Sequence, residues 1–206
     1  MGATEVTNRW RAALAEYIAE QAKPVEKYGH QPRLYALTLL IGEGITYDDD
    51  IVYAAVWLHD LGVFHGHRPE DPEFLARWDN TAYAMAQSPA ILTRLGFPAE
   101  KIQAVQTCIR THQPTGEPAS IEATILRDAD ILEQLGSVGI LRTVCKVGRD
   151  TRFHTFTDAV RSLQRALDEL PQLIRLPAAR LLAEERIRIL RDFLASVKEE
   201  AGDRLL

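Results

Sequence analysis

Cysteine is nearly absent from this 206-residue sequence: Cys108 and Cys145 stand alone, in no Cys-x-x-Cys arrangement. A disulfide-built scaffold is therefore excluded, and a buried free thiol is the expectation for each. Long apolar runs are missing too. None approaches the roughly 20 residues that cross a bilayer. The N-terminus shows no basic segment leading into an apolar one; Thr4-Glu-Val-Thr-Asn-Arg-Trp10 reads as a helix start instead. A cytoplasmic protein that does not engage a membrane is expected. Positive charge is not in excess either, with 24 Lys and Arg against 29 Asp and Glu and a net charge of −5. That balance argues against broad nucleic-acid or acidic-membrane binding, but it leaves room for an anionic substrate because a pocket's charge is local. No P-loop or glycine-rich dinucleotide fingerprint occurs, so any phosphate must be held by a metal and cationic side chains.

Sustained alternation of apolar and polar residues is also lacking, which leaves no convincing strand. What is present is helical periodicity. Leu34, Leu37, Thr38 and Ile41 fall at i, i+3, i+4, i+7, and Ile51, Ala54, Ala55 and Leu58 repeat the spacing, as do Ile187, Leu190, Leu194 and Val197 with small departures. The pattern predicts helices near 4–21, 31–43, 48–61, 71–88, 98–112, 119–135, 137–148, 155–170 and 177–201. Thr46 and Asp49 resemble a capping box, while Pro98 and Pro177 suit first turns. The segments 62–71 and 113–120 are polar loops, too short to be linkers. A composition of 46% hydrophobic and 26% charged residues is ordinary for a globular protein. The fold class expected is all-α: one domain over residues 1–206, with eight or nine helices.

Within that helical frame, His59 and Asp60 close the apolar run Ile51–Leu58. Adjacent side chains leave a helix about 100° apart, so a short carboxylate and a longer imidazole can converge near its end. His30 lies about one helix-turn-helix upstream, and Asp130 stands downstream in Asp128-Ala129-Asp130. Two imidazoles and two carboxylates make a mixed N/O site for a divalent ion that can activate water. A carboxylate buried beside His59 would need a cation or several donors, which favours a ligand over a satisfied core histidine. Helical phase sets Asp130 on an inward stripe with Ala123 and Leu126 and turns Asp128 roughly 200° away, toward solvent or a supporting contact.

The order His30 … His59-Asp60 … Asp130 resembles the signature of the HD-domain metal-dependent phosphohydrolases, most closely their small single-domain bacterial members. His30-Gln-Pro-Arg33 is similar to the family's His-x-x-Arg, and Ala54-Ala-Val-Trp-Leu-His-Asp-Leu-Gly62 to its second segment. Asp128-Ala-Asp-Ile-Leu132, running on to Gly136-Ser-Val-Gly-Ile-Leu-Arg142, is similar to its third. The likeness spans roughly residues 20–150. It implies a helical HD-type bundle that hydrolyses a phosphate ester or anhydride of a small molecule, a nucleotide above all. The same scaffold also hosts binding or regulatory modules without turnover, and di-iron oxygenases.

On this reading His30, His59, Asp60 and Asp130 are the metal ligands, for one Mn, Mg, Fe, Co or Ni ion. Asp79 and Asn80 stand near a place where two-metal members carry histidine, which argues for a single ion. Asp60 both ligates and orients water. His112, ending the Ile102–Val105–Ile109 stripe, is either a second-metal, substrate or acid residue, or a histidine at the helix C-terminus favoured by the dipole. Arg33 and Arg142 are the phosphate clamp, Arg33 alternatively pinning Asp128. Lys146 and Arg149 follow Arg142 at i+4 and i+7, as a phosphate stripe or a solvated basic face. His65 and His67 border the site from the 62–71 loop, where a substrate contact for His65 competes with solvation; His154 reads as a surface residue. Residues 155–206 either cap the bundle or form a homodimer face.

Overall fold

The computed structural model describes residues 3–150 and 152–205, and among them there are ten α-helices and no strand. In chain order these are α1 (Ala3–Gln21), α2 (His30–Ile41), α3 (Asp49–Leu58), α4 (Pro72–Ala76), α5 (Asn80–Leu95), α6 (Ile102–Thr111), α7 (Ile121–Glu133), α8 (Gly136–Val144), α9 (Phe156–Glu169) and α10 (Pro177–Ala201). None of the described helices is long and apolar enough to cross a membrane. Two compact units emerge from the backbone, one up to Arg127 and one from Asp128 on, the division falling within α7.

In the first unit α3 is the central element. Every residue from Val52 to Leu58 is buried, an all-round burial suited to a helix enclosed by neighbours, here α1, α2 and α6. Each large apolar side chain so enclosed stabilises the fold by about 1.5–3 kcal/mol. The polar N-terminus of α3 is anchored by charge. Asp48 caps it by accepting from the Asp50 amide at 3.0 Å, so the cap is Asp48 and not the expected Thr46–Asp49 pair. Arg11 bridges Asp49 and Asp50 at 2.8 and 2.7 Å, and Lys101 bridges Asp48 and Asp50 at 2.8 and 2.9 Å. Three acidic residues at a helix start also complement its dipole. Burial alone would raise the Asp50 carboxyl, but its bonds to Arg11 and Lys101 outweigh this and hold it below its ordinary range. With one end fixed in this way, α3 delivers its other end, His59 and Asp60, to a defined place.

The helix expected over 71–88 is two helices. Asp79 turns extended and caps α5 by accepting from the Ala82 amide at 2.9 Å, while Trp78 donates its indole N–H to the Gly62 carbonyl at 2.8 Å. Helix α5 then runs through Pro89 to Leu95. Proline removes one backbone donor and frees the carbonyl four residues earlier. That carbonyl, on Met85, accepts from the Gln106 side chain at 2.9 Å. A neighbouring helix thus repairs the break that sequence alone suggests. Pro98 leads a short 3₁₀ turn, Ala99–Lys101, ahead of α6.

The second unit holds the end of α7 with α8, α9 and α10, which pack on one another. Asp128 is fully buried there, and its carboxylate accepts from the backbone amides of Arg175 (3.0 Å) and Leu176 (2.7 Å) just before α10. Of the two settings expected for Asp128, solvent or a supporting contact, burial removes the first. Gly136, the first residue of α8, takes a positive φ of 68°, a geometry that costs glycine little. Helix α8 stops at Val144, so Lys146 and Arg149 fall in a turn and the i+4, i+7 stripe from Arg142 does not exist. Thr155 and Asp158 form the capping box of α9.

Candidate metal centre

His30 opens α2 and His59 follows the last residue of α3; both imidazoles are buried, at 4% and 1% exposure. Asp60 leaves the helix with φ −97° and ψ 11°, ahead of a 3₁₀ turn over Leu61–Val63. The expected 48–61 helix therefore ends three residues early, with the Asp60 carboxylate close to both rings. Asp60 Oδ2 lies 3.7 Å from His30 Nε2 and 3.6 Å from His59 Nε2, and the two ring centres are 5.3 Å apart. One ligand atom from each of the three residues falls within 4.8 Å of the others, close enough to hold a metal ion.

The rings are preset for that task. His59 Nδ1 sits 2.9 Å from the Val56 carbonyl oxygen. A carbonyl only accepts, so Nδ1 carries the proton and Nε2 presents its lone pair toward Asp60. His112 repeats the arrangement: its Nδ1 meets the Ile109 carbonyl, the ring is 2% exposed, and its centre lies 5.1 Å from that of His59. Nitrogen donors with one carboxylate suit a divalent first-row ion, and the donor set fits such a group.

Gly62 explains how the turn after Asp60 can be so close. A Cβ at this position would stand 2.7 Å from both Cα and O of Asn80. Only a bare backbone lets the start of α5 press against the His-Asp segment. Lys27 adds a tie from the other side, donating to the Val63 carbonyl at 2.7 Å.

Each remaining predicted residue has a local setting of its own. Asp130 is half-buried on α7 and accepts from Gln134 at 3.2 Å. Arg33 is exposed, one turn beyond His30. Asp128 accepts from the backbone amides of Arg175 and Leu176 before α10. Arg142 is paired with the buried Glu133 at 3.2 Å. Lys146 lies against the Phe153 ring, and its ammonium is pushed below its ordinary pKa by burial, then by Arg142 and Arg152. It is not a freely solvated lysine. His65 is exposed and accepts from Arg68 at 2.7 Å. His67 is held between Tyr83 (3.0 Å) and Gln21 (2.9 Å), and burial lowers its pKa. His154 is exposed, as expected. Asp79 and Asn80 serve as cap and close-packed backbone.

A groove of about 470 Å³ that the sequence did not announce lies nearby, lined by Trp78, Asp79, Asn80, Thr81, Ala82, Met85, Arg110 and Gln113. Gln113 joins it to the cluster: its side-chain amide donates to Thr81 Oγ1 at 3.1 Å and lies 3.4 Å from His112 Nε2.

A helical bundle whose buried histidines meet a carboxylate at a helix end is a candidate metal-binding domain of the His-Asp kind. The HD domain model matches residues 28–135, just over half of the sequence, and the chain belongs to that family. No curated protein matches it. Among solved structures it is similar to Bacillus subtilis YpgQ, crystallised in complex with ADP, with 22% identity, a TM-score of 0.72 and coverage of 96% of this chain and 97% of that one. An HD-superfamily hydrolase from Bacillus thuringiensis gives 22% identity and a TM-score of 0.68 over 97% and 98% of the two chains. A predicted HD-superfamily hydrolase from an uncultured Thermotogales bacterium gives 23% and 0.58 over 97% and 93%. Likeness at these identities establishes a shared fold.

Proposed function

We propose that the chain is a metal-dependent phosphohydrolase that cleaves a phosphate ester or anhydride of a small molecule, with a nucleotide as the substrate. The observation that carries the reading is the convergence of His30, His59 and Asp60 within 4.8 Å, with the His59 tautomer fixed for ligation. Membership of the HD family supports the reaction class. The ADP complex of YpgQ, a protein of similar fold, supports the nucleotide.

His30, His59 and Asp60 would hold one divalent ion, Mn, Mg, Fe, Co or Ni, and the order of the sequence motif adds Asp130 as a fourth ligand. A bound ion of this kind supplies Lewis acidity and a water of lowered pKa. Asp60 has a second part. Its side chain is 24% exposed where the imidazoles are not, so one oxygen can orient the attacking water's proton toward itself. His112 has Nδ1 committed to a carbonyl and Nε2 facing only the long 3.4 Å approach of the Gln113 amide, and it is assigned the proton exchange with the leaving oxygen. Arg33 and Arg142 are assigned to phosphate oxygens, with the Arg142 fork steadied by Glu133.

The test is a panel of nucleotides and simple phosphate esters assayed for phosphate and pyrophosphate release with each of the five metals. Metal-dependent release from at least one nucleotide is expected. No release from any substrate with any metal would overturn the reading, and nucleotide-induced thermal stabilisation without product would assign the chain to binding instead.

A further inference from the structure

The groove beside His112 has a chemistry of its own, and we propose that it is a subsite for the heteroaromatic base of the substrate. This rests on the nucleotide reading above and names the part of the molecule that the groove recognises. At about 470 Å³ it lies within the range of small-ligand pockets. Its walls combine one indole and one thioether with a set of planar polar groups. Trp78 is held by its N–H bond to the Gly62 carbonyl, so its ring is fixed relative to the His-Asp turn. A fixed aromatic ring beside Met85 offers a base an apolar, polarisable surface.

The polar groups suit a base edge better than a phosphate tail. Asp79 and Gln113 place oxygens at the groove, and a carboxylate there repels a second anion. Asn80 offers both donor and acceptor, Gln113 retains its amide oxygen after its amide nitrogen is used by Thr81, and Arg110 brings a planar fork of donors. Arg110 is exposed at the end of α6, and no ion pair forms on it among the described residues. Donors and acceptors presented together in one groove are what a base edge pairs with. The position agrees. Gln113 touches both the groove's Thr81 and His112 Nε2, so the groove adjoins the imidazole through that one side chain.

The experiment measures nucleoside binding by calorimetry, using adenosine, guanosine, cytidine, uridine and thymidine without phosphates, on the wild-type protein and on Arg110→Ala and Asn80→Ala. At least one nucleoside should bind the wild type, and each variant should weaken it roughly ten- to a hundredfold, the range for losing a hydrogen bond to a charged or well-placed polar group. In parallel, kcat/KM for the best nucleotide is compared with that for tripolyphosphate, which has no base. The variants should reduce the nucleotide-to-tripolyphosphate ratio at least tenfold, through KM. If no nucleoside binds, or if both substrates suffer equally, the groove is not a base subsite. Nucleoside binding without hydrolysis of any phosphate would instead overturn the hydrolase reading and leave the subsite standing. Unchanged thermal midpoints of both variants would exclude unfolding as the cause.

Discussion

Gly62→Ala is expected to damage both stability and metal retention, although it adds a single methyl group. The position is not left-handed, so the penalty is steric and not conformational. The new Cβ would lie 2.7 Å from Asn80 Cα and O and 3.0 Å from Asn80 Cβ, well inside ordinary contact. Two of these three atoms are backbone at the first residue of α5, and backbone cannot rotate away as a side chain can. The helix start, its Asp79 cap and the Trp78 bond to the Gly62 carbonyl must shift together. Overpacking of this kind costs about 1–3 kcal/mol. For a chain of this size each kcal/mol lowers Tm by about 2–4 °C, so the midpoint should fall by roughly 2–12 °C. Because Asp60 precedes the displaced turn by two residues, metal content per chain should fall as well. Thermal unfolding followed by circular dichroism, with elemental analysis of the same preparation, measures both. A wild-type midpoint with full metal content would refute the close-packing argument.

Three further outcomes are expected. His59→Ala and Asp60→Ala should lose bound metal and activity while keeping helical content, since each removes a donor at the margin of α3 and not its apolar core; elemental analysis and far-UV circular dichroism check this. Asp128→Ala should lower stability by about 1–2 kcal/mol, the value of a lost helix-start acceptor, and leave metal content intact, whereas Asp130→Ala should lose metal; urea unfolding with metal analysis separates the two. Acid should weaken the fold through Asp50, held below its ordinary 3.8, and Asp150, held at about 2 by Arg152 against the opposing effect of burial. For a depressed carboxyl the contribution is complete above the unfolded pKa and fades as pH falls through the folded one. Stability should therefore drop between about pH 4 and 2, and an Asp50→Asn variant should show a shallower decline in that window.

The sequence made the helices legible because their burial follows one period. Leu34, Leu37 and Ile41 are all buried as their spacing requires, and α10 matches its expected bounds of 177–201. Boundaries were less legible where a tertiary partner decides them. Pro89 reads as a stop, and only the Gln106 side chain on another helix, meeting the freed Met85 carbonyl, allows α5 to continue. Asp79 reads as one more residue in a helical run, whereas its extended backbone and its bond from the Ala82 amide make it the cap of α5. The same limit applies to electrostatics. Asp128 is rotated away from Asp130 as helical phase demands, but phase cannot say whether that direction meets water or, as it does, two backbone amides 47 and 48 residues later.

The site shows the reverse case, where a short-range pattern determines chemistry. His59 and Asp60 are adjacent, so no fold-level uncertainty separates them, and the apolar run before them requires that the histidine be buried. What the run does not encode is the break after Leu58. The helix ends at Leu58, and the Asp60 oxygen beyond it lies within 3.7 Å of both Nε2 atoms. The groove beside His112 was invisible for a related reason. Trp78, Arg110 and Gln113 share no motif, and they meet because Gly62 lets α5 approach the His-Asp turn while Gln113 follows directly on His112. A pair adjacent in sequence can thus be read directly, whereas a surface assembled from three segments becomes readable once packing has brought those segments together.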